Sequence, residues 1–452
     1  MEPAFLSQAA AIKSTRRYRP LKLGKAIFPE DIEWDYLPEG HHPVDLGDEI
    51  ENKYENDIYT VLQKLSHSVN CSVWAVKWRP KDPTVNTAPK PKYHALKIYR
   101  ANILQIWGGH QGRMLHLLDQ EPGSGHPNII QKEDFFYHTG PNGTHLCLVF
   151  PLLGPTLANV VMDRLSAATR HSVCQQLASA VAYMQSRYMC HGRLMPENVA
   201  FEIPGLESMS ERELEDKLLG VGIYEELQEI DGSRPKHGPR RVYQPCQGWH
   251  GLDHSQLTTV RIIDFGGAFC LRSDEGDPPP DPKYTVHFSP PEYCFQYPLS
   301  RGADTWQLAM LIFMIHTGVS PFYYMGSSES YELLISVIAA YLGPAPQDWR
   351  NRFLHRKYGT RDAETGELSP REAHPAEWFD LSRKQVTLSF QRELALRAPH
   401  LNRRQREKLE KLLLMMMAWR PDVRISAREV LVHLLEIKRL SASADGDEAE
   451  SR

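Results

Sequence analysis

The hydrophobic period of this chain changes once, near Gly154-Pro155, and that change restricts the fold more than any other feature. Before it, Tyr59–Leu62, Ser72–Trp78, His94–Tyr99 and His145–Phe150 alternate in the way of strands, with the Pro/Lys/Asn-rich Arg79–Lys92 as a loop between the second and third. After it, Val173, Leu177, Ala180, Val181 and Met184 recur at helical spacing within Arg170–Tyr188, and Ala303–Ile315 and Lys408–Met417 read as further buried helices. Strands first and helices afterwards predict an α+β class. A length of 452 residues predicts two lobes rather than one core.

Charge and cysteine content exclude several functions. Lys+Arg total 52 against 56 Asp+Glu, a net charge of −4, so bulk electrostatics give no case for nucleic acid or an anionic membrane. Seven cysteines without a C-x-x-C pair fit a reducing compartment, cytoplasmic or nuclear, with neither a disulfide framework nor structural zinc. The longest apolar run, Trp306–Ile315, is about half of the ~20 residues a membrane span needs. The triplets Asn142-Gly143-Thr144 and Asn70-Cys71-Ser72 match glycosylation acceptors but lack a secretory signal. Residues 1–35 read as a flexible basic arm, with a transit peptide as the alternative for 1–29, and 439–452 as an unstructured tail. Residues 205–258 read as a surface insertion, charged and helical over Glu211–Ile230, then rich in Gly, Pro and His without a period. His250 and His254 have the spacing of a zinc helix, but Gly251 and the loop composition oppose a helix there.

Six short signals follow in a fixed order. Lys97 sits on a strand in Ala95-Leu96-Lys97; His191-Gly192-Arg193-Leu194-Met195-Pro196-Glu197-Asn198 follows a helix; Ile262-Ile263-Asp264-Phe265-Gly266 ends an apolar strand. Pro290-Pro291-Glu292, Asp304-Thr305-Trp306 and Trp419-Arg420-Pro421-Asp422-Val423-Arg424 come later. This order and spacing resemble the protein-kinase signature set. Gly40-His41-His42-Pro43-Val44, Tyr59–Leu65, Ser72-Val73-Trp74, Pro196-Glu197-Asn198 and Leu342–Pro346 narrow the resemblance to kinases of arginine/serine-rich splicing factors, and Glu213–Gly220 looks like their fungal branch. The match covers about residues 36–438.

The resemblance implies a protein-kinase-like bilobal fold, with a β-rich N-lobe over 36–153 and a helical C-lobe over 154–438. It also implies ATP with Mg²⁺, the nucleotide held by Lys97, Ser66, Ser68, Val73, Ala95 and Leu152 and the metal by Asn198 and Asp264. Glu292 and Arg424 would form a buttressing ion pair, and the partner class would be a protein or an arginine/serine-rich peptide.

The departures carry the functional reading. Arg193 stands where the family has the aspartate that accepts the substrate proton, and a guanidinium stays protonated at any working pH. Met195 replaces the lysine that contacts the transferring phosphate. Ser66-His67-Ser68-Val69-Asn70-Cys71 replaces the glycine-rich phosphate loop, whose glycines let backbone N–H groups approach phosphate. Gly112–Leu118, the expected source of a glutamate for Lys97, contains no acid. The expectation is a pseudokinase acting as a binding or scaffold module, with ATP and Mg²⁺ binding weakened. The alternative is an active serine/threonine kinase with a displaced base, for which Glu197 is the nearest acid in sequence.

Overall fold

The computed structural model describes residues 18–20, 35–82, 84, 91–103, 125–216, 223–229, 231–246, 249, 251–271, 284–326, 330–350, 352–353, 376–380 and 388–447. Two compact units divide the chain: Met1–Gly123 with Ile130–Gly154 and Ile203–Asp253, and Ser124–Ile129 with Pro155–Glu202 and His254–Arg452.

The first unit is built on the strands β1 (Tyr18–Pro20), β2 (Glu49–Asn52), β3 (Asp57–His67), β4 (Cys71–Pro80), β5 (Tyr93–Tyr99), β6 (Asp134–Gly140) and β7 (Gly143–Pro151). Six of them form an antiparallel sheet in the order β2-β3-β4-β5-β7-β6. The four strands expected from alternation all lie in it. Alternation sorts its side chains onto two faces. One buries Tyr59, Val61, Trp74, Val76, Leu96, Ile98, Phe136, Cys147 and Val149 as a single core. On the other, the register sets Val73 opposite Lys97, Ala75 opposite Ala95, and Ala95 opposite Phe150.

Residues following β9 (Val199–Phe201) return to this unit. Among the described residues of the charged stretch Glu211–Ile230, read as helical from composition, α2 (Glu211–Leu214) is a helix capped reciprocally by Ser210 and Glu213, whereas β10 (Tyr224–Glu229) is a strand. β10 pairs with β11 (Arg241–Tyr243) on one side and β1 on the other, so the partner strands decide a segment whose own propensity is weak. Residues 18–20 of the arm read as flexible are therefore part of a three-stranded sheet.

The second unit centres on α1 (Ala167–Ser186) and α4 (Arg301–Thr317). Ser166 caps α1 by accepting from Thr169 N–H, and Val173, Cys174, Leu177, Ala180, Val181 and Met184 are buried, as the spacing predicts. α4 is buried almost all round, starts at a Ser300 cap and stops at Gly318, whose φ of 76° suits a residue without Cβ. α3 (Pro291–Cys294), α5 (Tyr331–Leu342), α6 (Phe390–Arg397), α7 (Arg403–Met416) and α8 (Ala427–Asp447) are its other α-helices among the described residues. Met416, Met417, Trp306 and Trp419 are core residues. α8 continues over 441–447, which composition reads as unstructured.

The expected ion pair is present. Arg424 Nη1 and Nη2 donate to Glu292 Oε1 and Oε2 at 2.8 and 2.6 Å, with both side chains fully buried. Its Nε donates to Ala418 O at 2.8 Å, Nη1 also reaches Gly302 O and Nη2 Trp419 O, and the guanidinium lies 5.0 Å from the Trp306 ring centroid. Every nitrogen of a buried cation is thus satisfied, which is what makes such burial tolerable.

Candidate functional site

In the second unit, β8 (Met189–Cys190) leads into the His191–Asn198 loop, which is held by backbone donors on buried acceptors. His191 N and Gly192 N donate to Asp304 Oδ2 and Oδ1 at 2.7 and 3.0 Å, and Leu194 N donates to Gln307 Oε1 at 2.8 Å. Asp304 and Gln307 lie one helical turn apart on α4, so one face of that helix holds the loop. Burial pushes the Asp304 carboxyl up to about 6, against the two N–H donors that favour its ionised form. Burial also pushes His191 down to about 4. The His191 ring contacts Ile263 O at 3.0 Å and lies edge-on to Phe265, a packed structural role.

Asn198 and Asp264, the two expected metal ligands, are brought to this loop. Asn198 Nδ2 donates to Arg193 O at 2.8 Å, and Ile263 N donates to Asn198 O at 2.9 Å, next to Asp264. Asp264 adopts φ 61° and ψ 68°, a left-handed conformation that aspartate tolerates better than most residues. The Arg193 guanidinium Nη1 lies 4.0 Å from Asp264 Oδ2, with the two side chains 37% and 34% exposed. The arginine stem runs over Gly267, where an added Cβ would come within 2.9 Å of Arg193 Cδ. Gly192, with φ of +74°, has the Gly267 carbonyl 2.6 Å from where its own Cβ would be. Met195 is half-buried with its carbonyl accepting from Asn198 N, and Glu197 is exposed. A permanent cation therefore stands beside the carboxylate at the position where a proton acceptor is expected.

The nucleotide-contact candidates lie in the first unit, on the sheet face opposite its main core. Val73, Ala95 and Lys97 are half-buried there, and Lys97 Nζ lies 5.2 Å from the Tyr99 ring centroid. Gly112–Leu118 lies outside the described residues. Leu65 and Ala95 pack against a cluster of Leu62, Ala75, Tyr93 and Leu152 that is completed by Ile203 and by Leu214 and Trp249 from the insertion. Two of the expected nucleotide contacts, Ala95 and Leu152, thus share an apolar cluster with the chain's own insertion.

The phosphate-loop candidates Ser66 and Ser68 are exposed. Ser68 is spent within the hairpin: its N–H donates to Cys71 O at 2.9 Å, and its hydroxyl accepts from Cys71 N at 3.2 Å. Arg100 Nη1 donates to Val69 O at 3.3 Å and Arg100 N to Asn70 O at 3.0 Å, fixing the loop tip. Sequence reasoning missed Gln307, Gly267 and the buried packing of Leu214 and Trp249. A signal existed only for Gln307, whose spacing from Asp304 sets both on one helix face.

No protein-family model matches the sequence. The chain is 31% identical over 175 residues to protein kinase dsk1 of Schizosaccharomyces pombe, covering 36% of this chain and 29% of that protein. It is 27% identical over 186 residues to serine/threonine-protein kinase SKY1 of Saccharomyces cerevisiae, covering 39% and 23%. With serine/threonine-protein kinase SRPK of Physarum polycephalum it shares 22% identity over 299 residues, 63% of this chain and 65% of that protein. The matched segments span less than a third of the first two relatives. These homologues support the protein-kinase superfamily, and the chain is protein-kinase-like in sequence.

Proposed function

We propose that this kinase-like chain is a pseudokinase: a binding or scaffold module in which phosphoryl transfer is disabled and nucleotide contacts are weakened. The observation that carries the reading is the Arg193 guanidinium at the proton-acceptor position, 4.0 Å from the Asp264 carboxylate. A guanidinium accepts no proton, and a general base is worth about 10²–10⁴-fold in rate. Met195 in place of a lysine removes a cation that would neutralise the transferring phosphate, a second loss of the same kind.

Asp264 and Asn198 supply the hard oxygen donors that Mg²⁺ takes, and Lys97 remains for the phosphates. Bound Mg²⁺ would neutralise nucleotide phosphate charge; the adjacent guanidinium competes for the same carboxylate and lowers metal affinity. Within the first unit, the insertion's share of the cluster around Ala95 and Leu152 competes with a nucleotide base for those two side chains. The partner class that goes with this reading is a protein, or an arginine/serine-rich peptide bound without turnover. Among the described residues no helix is long and apolar enough to cross a membrane, and no disulfide joins any of the seven cysteines. A cytoplasmic or nuclear location goes with the proposal.

The test is radiolabelled phosphate transfer from ATP to an arginine/serine-rich peptide. The expected result is no incorporation above that of Asp264→Ala; incorporation that Asp264→Ala abolishes would mean an active kinase instead. Arg193→Asp combined with Met195→Lys is expected to raise transfer about 10²-fold or more, since it restores base and cation together. In a thermal-shift experiment, a ligand at 100 times its Kd adds about 2.7 kcal/mol. Wild-type protein at millimolar ATP and Mg²⁺ should fall well short of that shift.

A further inference from the structure

Asp35, His41 and His67 offer ligand atoms that all lie within 4.8 Å of one another, and no other group of three such side chains occurs among the described residues. The chain builds this cluster locally. A tight turn over 35–41 is closed by Gly40 N to Leu37 O and His41 N to Asp35 O, both at 2.7 Å. A Cβ at Gly40 would meet Asp35 O at 2.3 Å, so only glycine permits the closure that sets Asp35 beside His41. The third member comes from the substituted phosphate loop, where His67 ends β3 with its side chain turned inward, 2% exposed.

One donor pair already has the spacing of metal ligands. Zinc–ligand distances of about 2.0–2.1 Å set tetrahedral donors about 3.3 Å apart. His67 Nε2 and Asp35 Oδ2 are 3.2 Å apart, and the His41 and His67 ring centroids 4.6 Å. His41 is 1% exposed, and its Nε2 is taken by the Val69 carbonyl at 3.2 Å. Its Nδ1 is buried with no hydrogen-bond partner. Metal-ligating histidines are oriented by a hydrogen bond between their other ring nitrogen and a carbonyl or carboxylate, and the contact of Nε2 with Val69 O leaves His41 Nδ1 for the ligand role. Buried ring nitrogens without hydrogen-bond partners also occur at His42, His145 and His171, but none of these has a carboxylate and a second imidazole in ligand reach. An unsatisfied buried polar atom costs free energy, and a cation at this point would remove the deficit.

We propose that Asp35, His41 and His67 form a zinc site, bound through Asp35 Oδ2, His41 Nδ1 and His67 Nε2, with water as the fourth ligand. The site ties the 35–41 turn to the phosphate-loop hairpin, so metal occupancy sets the mobility of that hairpin. It does not depend on the pseudokinase reading. Two imidazoles and one carboxylate suit zinc better than magnesium or calcium.

The experiment titrates the chelator-stripped full-length chain with Co²⁺ and follows visible absorption, then displaces Co²⁺ with Zn²⁺. The expected result is one equivalent of Co²⁺ with the intensity of a four-coordinate site, displaced stoichiometrically by Zn²⁺. His41→Gln and Asp35→Asn are each expected to weaken binding about 100-fold or more. Absence of metal binding by the folded wild-type chain at micromolar Co²⁺ and Zn²⁺ overturns the proposal without any variant. Binding that survives in both variants overturns it as well, since the metal then sits elsewhere. If His41→Gln fails to fold, Asp35→Asn and the wild-type titration decide.

Discussion

Two arginine–carboxylate pairs in the second unit differ in burial, distance and hydrogen bonding. Arg424 and Glu292 are fully buried, joined by two short hydrogen bonds, and every guanidinium nitrogen is satisfied. Arg193 and Asp264 are about one-third exposed and 4.0 Å apart, and Arg193 Nε is buried without a hydrogen-bond partner. The first is a bidentate pair with every donor satisfied; the second is a long, partly solvated electrostatic contact.

The contrast breaks if the two pairs respond alike to substitution. Glu292→Ala leaves a buried guanidinium uncompensated and is expected to lose about 3–5 kcal/mol of unfolding free energy in urea titrations. A loss under 1 kcal/mol would mean the buttress is dispensable.

Acid titration sharpens the contrast, because His191 in the loop and Asp304 on the α4 face that holds it are two groups whose shifts have opposite effects on stability. His191, pushed down to about 4 from 6.5, contributes stability that is present above pH 6.5 and lost as pH falls toward 4. Asp304, pushed up to about 6 from 3.8, contributes stability that is present below pH 3.8 and lost as pH rises through 6. The two slopes oppose each other between about pH 4 and 6. Asp304→Asn removes one of them, so acidification from pH 6 to 5 should destabilise the variant by about 1 kcal/mol more than wild type. Equal slopes in the two proteins would show that Asp304 does not titrate there.

The smallest effect belongs to the loose pair. Arg193→Ala should change stability by no more than about 0.5 kcal/mol, because a half-exposed ion pair is largely screened. A loss of several kcal/mol would mean that Arg193 serves the fold, and would weaken its use as a functional marker.

The sequence made the strongly periodic parts legible. β3, β4, β5 and α1 announce themselves through the spacing of their buried residues, and β7 and α4 through continuous apolar runs buried on more than one face. β6 does not, since Phe135 and Tyr137 are about half exposed on either side of buried Phe136, so an edge strand of aromatics conceals its alternation. The insertion was illegible for another reason: Leu214 lies in a strongly charged segment and Trp249 in a Gly/Pro/His-rich stretch without a period, and only tertiary contact shows where they pack. The site itself was legible as chemistry, through residue identity at Arg193 and Met195. Its electrostatics were not, because the Arg193–Asp264 contact depends on the Cβ-less surface of Gly267.

The pairing of β1 with β10 bears on how this protein should be handled. Tyr18, Arg19 and Pro20 run against Glu229, Gln228 and Leu227 and cover the outer edge of β10. Trimming the chain to start at residue 36, the obvious truncation from composition, would uncover that edge and offer its unpaired backbone groups to neighbouring chains. The shortened protein should self-associate with rising concentration, and the basic leader earns its place as a shield.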